Sequence, residues 1–464
     1  MTVLFNSYFF LLLFLPAALR LYRFTLVARG AHGGLLVLLM VSGLFYASWG
    51  GHLHLLATSV LGNFLLGYAM QRSGKARQRR WLFAVGVAAN LSALAYFKYA
   101  NFVFQELGLP LVHDGSLPLG ISFFTFQQIA FLYFLLRHEE ERPALLEYAA
   151  AVTFFPHLVS GPLLRYESIM SQMRTKLFGF DRTLVVQGLV LLVLGLAKKV
   201  LIADPLSPYV ASVFSQAHAE GRVAGVDAIC GVLAYSMQLY FDFSGYSDMA
   251  IGLGMLFGIR MPSNFNSPYK AADPADFWRR WHISLSQFLR DFIYIPLGGN
   301  RYGTVRQSSA LMVTMVVGGA WHGAGWTFII WGAWHAIWLC LWHVAKPHAR
   351  MVPAWIVRGL TLVVVITGWV WFRSPDIPTA LAIFDAMAHP WNQTSKLLAG
   401  WPVILGVSTA LLLSLGAPNS QEICAILTRD TWLARKWIWV LFGLFAFATL
   451  SRVGGVTEFL YANF

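Results

Sequence analysis

The sequence predicts an all-α integral membrane protein, and its composition and its apolar segments both lead to that class. Of 464 residues, 57% are hydrophobic and only 12% are charged, whereas soluble domains carry roughly 25% charged residues. Apolar segments recur from Val3 to the end of the chain without a long polar block between them. We therefore expect one integral domain over residues 1–464, built as a helical bundle with interfacial helices.

Apolar segments approach the length of about 20 residues that a helix needs to cross the hydrocarbon core of a bilayer. They lie at 3–19, 34–50, 53–70, 81–98, 117–136, 183–197, 224–241, 308–320, 326–345, 357–372, 400–416 and 436–451. Some are shorter than a full crossing, and such helices are tolerated where they line a cavity enclosed by protein. The sequence therefore predicts about ten to twelve transmembrane helices.

Basic residues in the first short loops orient the chain. The loop 20–32 carries three arginines and 72–80 carries five basic residues, whereas 50–54 between the intervening spans carries no Lys or Arg. Because basic loops stay in the cytoplasm, the N-terminus is expected on the outer side. The same alternation places 260–306 on the cytoplasmic side, and its seven Lys and Arg against three Asp agree with that placement.

The topology of residues 147–223 is less clearly predicted. A full crossing at 147–160 would place Arg165, Arg174, Lys176 and Arg182 outside. A re-entrant segment broken at Phe154-Phe155-Pro156-His157 would resolve that conflict. It would not explain Lys198 and Lys199, which end the next span on the outer side.

Cysteine spacing and charge distribution argue against two classes of function. Cys230, Cys340 and Cys424 lie far apart in or beside apolar segments, which fits neither a disulfide framework nor a metal site. We expect small core residues and no metal. The net charge of +13 gathers in short loops between apolar runs, which indicates membrane topology and no nucleic-acid partner.

A histidine between tryptophans and small residues marks the first candidate site, at Gly318–Trp326. Ionisable groups at membrane depth are costly and therefore indicate function. The glycines permit a close backbone approach or an unwound turn, and His322 can act as a general base toward a hydroxyl. The alternatives are a buried histidine bonded to a carbonyl of a neighbouring helix, or a Trp–His pair in an interfacial belt. His335 and His343 on the same stretch weaken an assignment by position alone.

The second cluster is a basic, aromatic segment at 276–291. Helical spacing places its apolar side chains on one face of an interfacial amphipathic helix; they are Phe277, Trp281, Ser284 or Leu285, and Phe288. Arginine and tryptophan anchoring at the membrane surface is one interpretation. In the other, His282 points into the bundle while Arg279, Arg280 and Arg290 attract an anionic donor such as the phosphates of coenzyme A.

A polar run at 238–248 ends an apolar span. Asp242 and Asp248 are six residues apart and do not share a helical face, which argues against a paired-carboxylate site. We expect them to bond basic residues of the following loop, or to cap helices where Gly245 interrupts them. Further polar residues are candidates for lining a tunnel or for structural roles, namely Ser244, Tyr246, Asn300 and the indole of Trp321.

These segments resemble the bacterial branch of the membrane-bound O-acyltransferases. The runs that carry the resemblance are 117–127, 238–248, 264–269, 277–286, 294–301 and 321–323, and it covers nearly the whole chain. The resemblance implies a bundle with re-entrant and interfacial helices around a central tunnel, and O-acyltransferase activity. His322 matches the tunnel histidine of the family, and His282 matches its second histidine.

The resemblance also implies a reaction. It implies O-acetylation of an exopolysaccharide, alginate above all, in the bacterial inner membrane, without a bound cofactor and with acetyl-CoA or another acetyl thioester as donor. The donor would enter near Arg279, Arg280 and Arg290, and His322 would act as general base. His282, a backbone amide or an Asn would stabilise the oxyanion. The acceptor would be a hydroxyl of a periplasmic acetyltransferase partner, which passes the acetyl group to the polysaccharide.

Two departures from the family pattern bear on the acceptor. His157 stands where the family usually has Gln. The aromatic C-terminal tail typical of the alginate proteins corresponds to residues 459–464, and the chain is shorter than expected for those proteins. Cellulose, peptidoglycan or another exopolysaccharide therefore stay open as acceptors. A transporter or channel for an acetyl carrier or polymer, with histidines as relay or gate, is the rival class. The lack of a visible internal repeat argues against that rival.

Overall fold

A computed structural model describes residues 3–50, 52–164, 166–175, 181–347, 351–391, 400–429, 436–453 and 459–460. Every element in these ranges is helical, so the prediction of an all-helical protein is confirmed there. Arg165, Lys176 and tail residues 461–464 lie outside the described residues.

The helices are numbered in chain order. They are α1 (Leu15–Ala47), α2 (Leu53–Arg72), α3 (Ala76–Leu94), α4 (Ala100–Glu106), α5 (Ile121–Arg137), α6 (Leu145–Thr153), α7 (Phe155–Leu158), α8 (Tyr166–Thr175), α9 (Arg182–Ala197), α10 (Asp204–Glu220), α11 (Gly225–Leu256), α12 (Pro274–Arg280), α13 (Ile283–Leu289), α14 (Thr304–His322), α15 (Trp326–Ala345), α16 (Ala354–Arg373), α17 (Ile377–Ala388), α18 (Trp401–Gly416), α19 (Ser420–Leu427) and α20 (Lys436–Leu450). Single π-helical turns precede α1 and follow α3, α9 and α13.

Within the described ranges, six helical segments are long and apolar enough to cross a membrane. The pair α18 and α19, bent by 66°, could form a seventh span. The chain is therefore a multi-pass membrane protein, and the count of ten to twelve crossings stays a prediction. The chain divides into two compact units, the first containing residues 1–196, 246–262 and 424–463, and the second 197–245 and 263–423. The expectation of one domain over 1–464 also stays a prediction.

In the first unit, residues 20–32 are helical except for a break at one glycine, so the predicted loop is absent there. The helical stretch α1 is interrupted at Gly30, whose φ of 62° and ψ of −159° are not helical. Residues on the two sides of the break pack together, because a Cβ at Gly33 would lie 2.8 Å from the Thr25 carbonyl oxygen. A longer loop is unnecessary because glycine adopts positive φ without steric cost.

The break predicted at 154–157 is present between α6 and α7, where Phe154 leaves helical geometry with ψ of 106°. His157 is buried there. The Gln127 side-chain amide lies 2.9 Å from His157 Nδ1, and His157 Nε2 lies 3.0 Å from the Ala151 carbonyl oxygen. His157 therefore links α5 to the end of α6, while membrane re-entry stays a prediction.

In the second unit, glycines bring α14 and α15 into close contact. A Cβ at Gly319 would lie 2.2 Å from the Phe328 carbonyl oxygen, and one at Gly332 would lie 2.4 Å from the Met315 carbonyl oxygen. Both possibilities raised by the glycines are observed: Gly319 allows the close approach, and residues 323–325 leave helical geometry between α14 and α15. This hairpin positions His322, the last residue of α14.

Candidate functional site

His322 ends α14 and is only 2% exposed. The chain leaves the helix at Gly323, in extended geometry, and re-enters a helix at Trp326. A Cβ at Gly323 would lie 2.1 Å from the Phe328 ring, so this tight connection requires a glycine for steric reasons. The sequence Trp-His-Gly thus places an imidazole at a buried helix end, where the backbone turns at once into α15.

Aromatic rings surround the His322 imidazole. Its centroid lies 5.2 Å from the Trp331 ring of α15, 5.2 Å from the Phe372 ring of α16 and 5.0 Å from the Trp321 ring. Each pair meets close to edge-on, the geometry that aromatic quadrupoles favour. These ring contacts restrict the orientation of the imidazole.

The prediction of one continuous helix over 276–291 is wrong. The helix α12 ends at Arg280, and His282 adopts the left-handed region with φ of 43° and ψ of 55° before α13 begins. Hydrogen bonds to residues 264–266 are present at the break: the Ile283 N–H donates to the Asn264 carbonyl (2.9 Å), and the Asn266 N–H donates to the Arg280 carbonyl (2.9 Å). These long-range bonds are not encoded in the local apolar spacing.

The break brings His282 beside His322. The centroids of the two imidazoles lie 6.3 Å apart, and the His282 ring is 1% exposed. The Phe243 ring of α11 packs edge-on against His282 at 4.7 Å. Desolvation by burial lowers the pKa of His282 to about 3, because a low-dielectric surrounding disfavours the charged imidazolium. The two histidines singled out in the sequence therefore share one buried site.

A cavity of about 260 Å³ opens beside His322 between the segments 275–294 and 311–343. Its walls are mainly apolar, with Leu285, Leu289 and Met315 among them. The polar groups that line it include His322, Arg290, Tyr294 and His343. A mainly apolar cavity lined by both an imidazole and a guanidinium can hold a substrate that carries an anionic group.

The three arginines predicted for donor binding have different surroundings. Arg290 lines the cavity, and its guanidinium is 55% exposed and 2.8 Å from Asp291. Arg279 and Arg280 are not among the cavity-lining residues and lie 3.4 Å and 2.9 Å from Asp276. Burial opposes ionisation of Asp276, but the Ala272 N–H and the two guanidinium groups outweigh it and hold its pKa below the ordinary value.

The predicted roles of Asp242 and Gly245 are wrong. The helix α11 runs through Gly245 without interruption, and Asp242 pairs with Lys199, which precedes it, rather than with the following loop. The physical reason is burial, because a carboxylate in the interior needs a cation within reach. Ser244 is buried on the same helix, whereas Asn300 is exposed in the turn after α13 and does not line the cavity.

Tyr246 and Asp248 belong to the first unit. The Tyr246 ring stacks on Phe5, with centroids 5.2 Å apart, and Asp248 is buried.

Several neighbours of the site were not singled out in the sequence. Asn264 stood within a run that resembles the family, Lys199 was noted only as a topological difficulty, and Trp331 and Phe372 were two aromatic residues among many. One signal could have identified Lys199. It is an ionisable residue that directly follows an apolar run, and such residues at membrane depth need a partner of opposite charge.

Comparison with known proteins identifies the class. The sequence model of the membrane-bound O-acyltransferase family matches residues 82–372, and this range includes both histidines and the residues that line the cavity. The chain belongs to the membrane-bound O-acyltransferase family. It is an O-acyltransferase, as the sequence predicted.

Three relatives illustrate the range of similarity. The probable alginate O-acetylase of Pseudomonas aeruginosa is 40% identical over 404 residues, covering 83% of this chain and 75% of the relative. The peptidoglycan O-acetyltransferase of Helicobacter pylori is 37% identical over 427 residues, covering 83% and 80%. The teichoic acid D-alanyltransferase of Bacillus subtilis is 29% identical over 274 residues, covering 55% and 67%.

Proposed function

We propose that the protein transfers an acetyl group from a cytoplasmic thioester across the bacterial inner membrane for O-acetylation of an exopolysaccharide. The observation that carries this proposal is that His322 and Arg290 line the same apolar cavity. The imidazole supplies a base for a hydroxyl, and the guanidinium supplies a cation for an anionic donor. Acetyl-CoA or another acetyl thioester meets both requirements, with no bound cofactor.

In the proposed reaction, His322 is the general base. It removes the proton from the acceptor hydroxyl as the oxygen attacks the thioester carbonyl carbon. The carbon–sulfur bond then breaks, and the thiol leaves with a proton returned from the imidazolium. A thioester is already activated, so the protein needs to position the two substrates, exclude water and stabilise the oxyanion.

The acceptor in this proposal arrives from the periplasmic side. It is a hydroxyl of a periplasmic acetyltransferase partner, which passes the acetyl group to the polymer. The proposal includes a central tunnel within ten to twelve transmembrane helices and a periplasmic N-terminus, as the basic loops favour. Arg279, which is exposed, and Arg280, which is half-buried, both pair with Asp276 and would serve the approach of the donor to the basic cytoplasmic face.

Alginate is the polymer we favour, because four further relatives carry the same alginate O-acetylase name at 38–40% identity. The peptidoglycan relative is 37% identical over a similar share of this chain, which makes peptidoglycan the second candidate. Chemical analysis of the polymers made by cells with and without the gene separates the two. Loss of acetyl groups from peptidoglycan, with unchanged exopolysaccharide, would refute the alginate assignment.

The enzymatic proposal is tested with purified protein in detergent, where no compartment exists. We expect radiolabelled acetyl-CoA to acetylate the periplasmic partner when both proteins are present, and not when either is omitted. The rival function, transport of an acetyl carrier, predicts no transfer in detergent and accumulation of label inside proteoliposomes. That second result would contradict the proposed function.

A further inference from the structure

The side chain of Asn264 is held against the break that contains His282. Asn264 Oδ1 accepts a hydrogen bond from the Ser284 N–H (3.3 Å) and one from the Ser284 hydroxyl (2.9 Å). The same oxygen lies 3.1 Å from His282 Nδ1. All three residues are buried, with Asn264 at 0% and His282 at 1% exposure.

These contacts determine which nitrogen of His282 carries the proton. The backbone N–H of Ser284 can only donate, so the Asn264 atom facing it must be the oxygen and not the amide nitrogen. An amide oxygen can only accept, so the Nδ1 atom that faces it must carry a hydrogen. In a neutral imidazole the other nitrogen is then an acceptor. The Nε2 atom, on the opposite edge of the ring from Asn264, therefore carries the lone pair.

We infer that Asn264 is a positioning residue that holds His282 in the Nδ1–H tautomer, so that His282 acts in acyl transfer as a hydrogen-bond acceptor. It does not act as the donor that stabilises the oxyanion, a role that the family resemblance had left open to it. This inference rests on the proposed function, because it concerns the same site. The left-handed backbone of His282 is part of the arrangement, since strained geometry at a site persists only where surrounding bonds hold it.

An Asn264→Asp variant tests the inference through the pH profile of acetyl transfer. The groups facing His282 are His322, Trp321, Phe243, Asn264 and Ser284. Of these, His322 is the titratable one in the native protein. A carboxylate at position 264 keeps an acceptor for Ser284 but stabilises the His282 imidazolium, raising its pKa by about 1–3 units. We expect the acid limb of the profile to move upward by about one pH unit or more, with activity recovered at high pH.

Asn266→Asp is the matched control, because it introduces the same charge two residues away, where the side chain faces Asn419. Its profile should superimpose on that of the native protein. An Asn264→Asp profile that also superimposes, or one with activity raised at low pH, would overturn the inference.

A measurement without catalysis separates this inference from the proposed function. Nitrogen-15 spectra of histidine-labelled protein contain signals from 13 histidines, so subtraction of a His282→Gln spectrum isolates His282. We expect a protonated Nδ1 and an unprotonated Nε2 in the native protein. In Asn264→Asp we expect protonation of both nitrogens to begin about one pH unit or more higher than in the native protein. A protonated Nε2 with a bare Nδ1 in the native protein would refute the tautomer assignment even if acetyl transfer is normal.

Discussion

Lys199 Nζ lies 2.5 Å from Asp242 Oδ1 in the interior of the second unit, with the two side chains 3% and 2% exposed. Asp204 approaches the same ammonium group at 3.0 Å. Buried charges in a membrane protein are tolerated when they are paired. The next residue on α11 after Asp242 is Phe243, whose ring packs against His282. The ion pair and the contact with the second histidine therefore involve consecutive residues of α11.

Removing one charge of this pair should destabilise the protein. We expect Asp242→Asn to lower the free energy of unfolding by roughly 1.5–3 kcal/mol, the usual contribution of a hydrogen bond to a charged group, because Lys199 keeps Asp204 as a second partner. The midpoint of thermal unfolding in detergent measures this effect. Asp385→Asn is the control, because Asp385 is 79% exposed and its loss should change the midpoint little. Equal midpoints for the two variants would show that the pair does not contribute.

The glycine contacts between α14 and α15 lead to a second prediction. Gly332→Ala places a methyl group 2.4 Å from the Met315 carbonyl oxygen, and overpacking of this kind costs about 1–3 kcal/mol. We expect lower thermal stability and reduced acetyl transfer, because the hairpin that carries His322 must open.

Gly359→Ala is the matched control for that variant, since a Cβ there meets open space at an exposed position of α16. Replacement of a helical glycine by alanine without a clash stabilises a helix by roughly 0.5–1 kcal/mol. The two variants should thus shift stability in opposite directions. A Gly332→Ala protein as stable as Gly359→Ala would contradict the close packing.

The membrane class and the helical content could be predicted from the sequence because lipid demands long apolar segments with internally bonded backbones. The pairing of His282 with His322 was reached through resemblance to the family, because 40 residues separate them in the chain. The apolar residues at helical intervals over 276–291 predicted one continuous helix, whereas the structure has a break at His282. Hydrogen bonds from 264–266 cause that break, and no periodicity encodes such long-range bonds.

The loop 20–32 illustrates the opposite error. Its arginines suggested a solvated loop, yet straight-chain residues such as Arg and Leu favour helices. Only Gly30 leaves helical geometry within this stretch. The charge pattern did not predict the local structure there, and the sidedness that it favours stays a prediction. The partner of Asp242 was mispredicted for a related reason, since sequence proximity favoured the following loop while burial selected Lys199.

The arginines give a third prediction, on the donor. Arg290→Gln should raise the KM for acetyl-CoA by about threefold to tenfold and leave kcat nearly unchanged, because a partly exposed charge contact contributes roughly 1 kcal/mol to binding. Arg279→Gln should have a smaller effect, since Arg279 is absent from the cavity wall and is 63% exposed. Steady-state kinetics in detergent measures both. A KM change for Arg279→Gln larger than that for Arg290→Gln would show that the donor does not bind at the cavity.

The central claim is that His322 is the general base. Its most direct test is the rate of acetyl transfer from labelled acetyl-CoA to the periplasmic partner by His322→Ala protein that is folded and inserted at normal levels. We predict a kcat lower by about 10²–10⁴-fold, the usual contribution of a general base. His343→Ala, which alters another imidazole of the same cavity wall, should lower kcat by less than about tenfold. A His322→Ala protein that transfers acetyl groups at a rate close to that of the native protein would contradict the account.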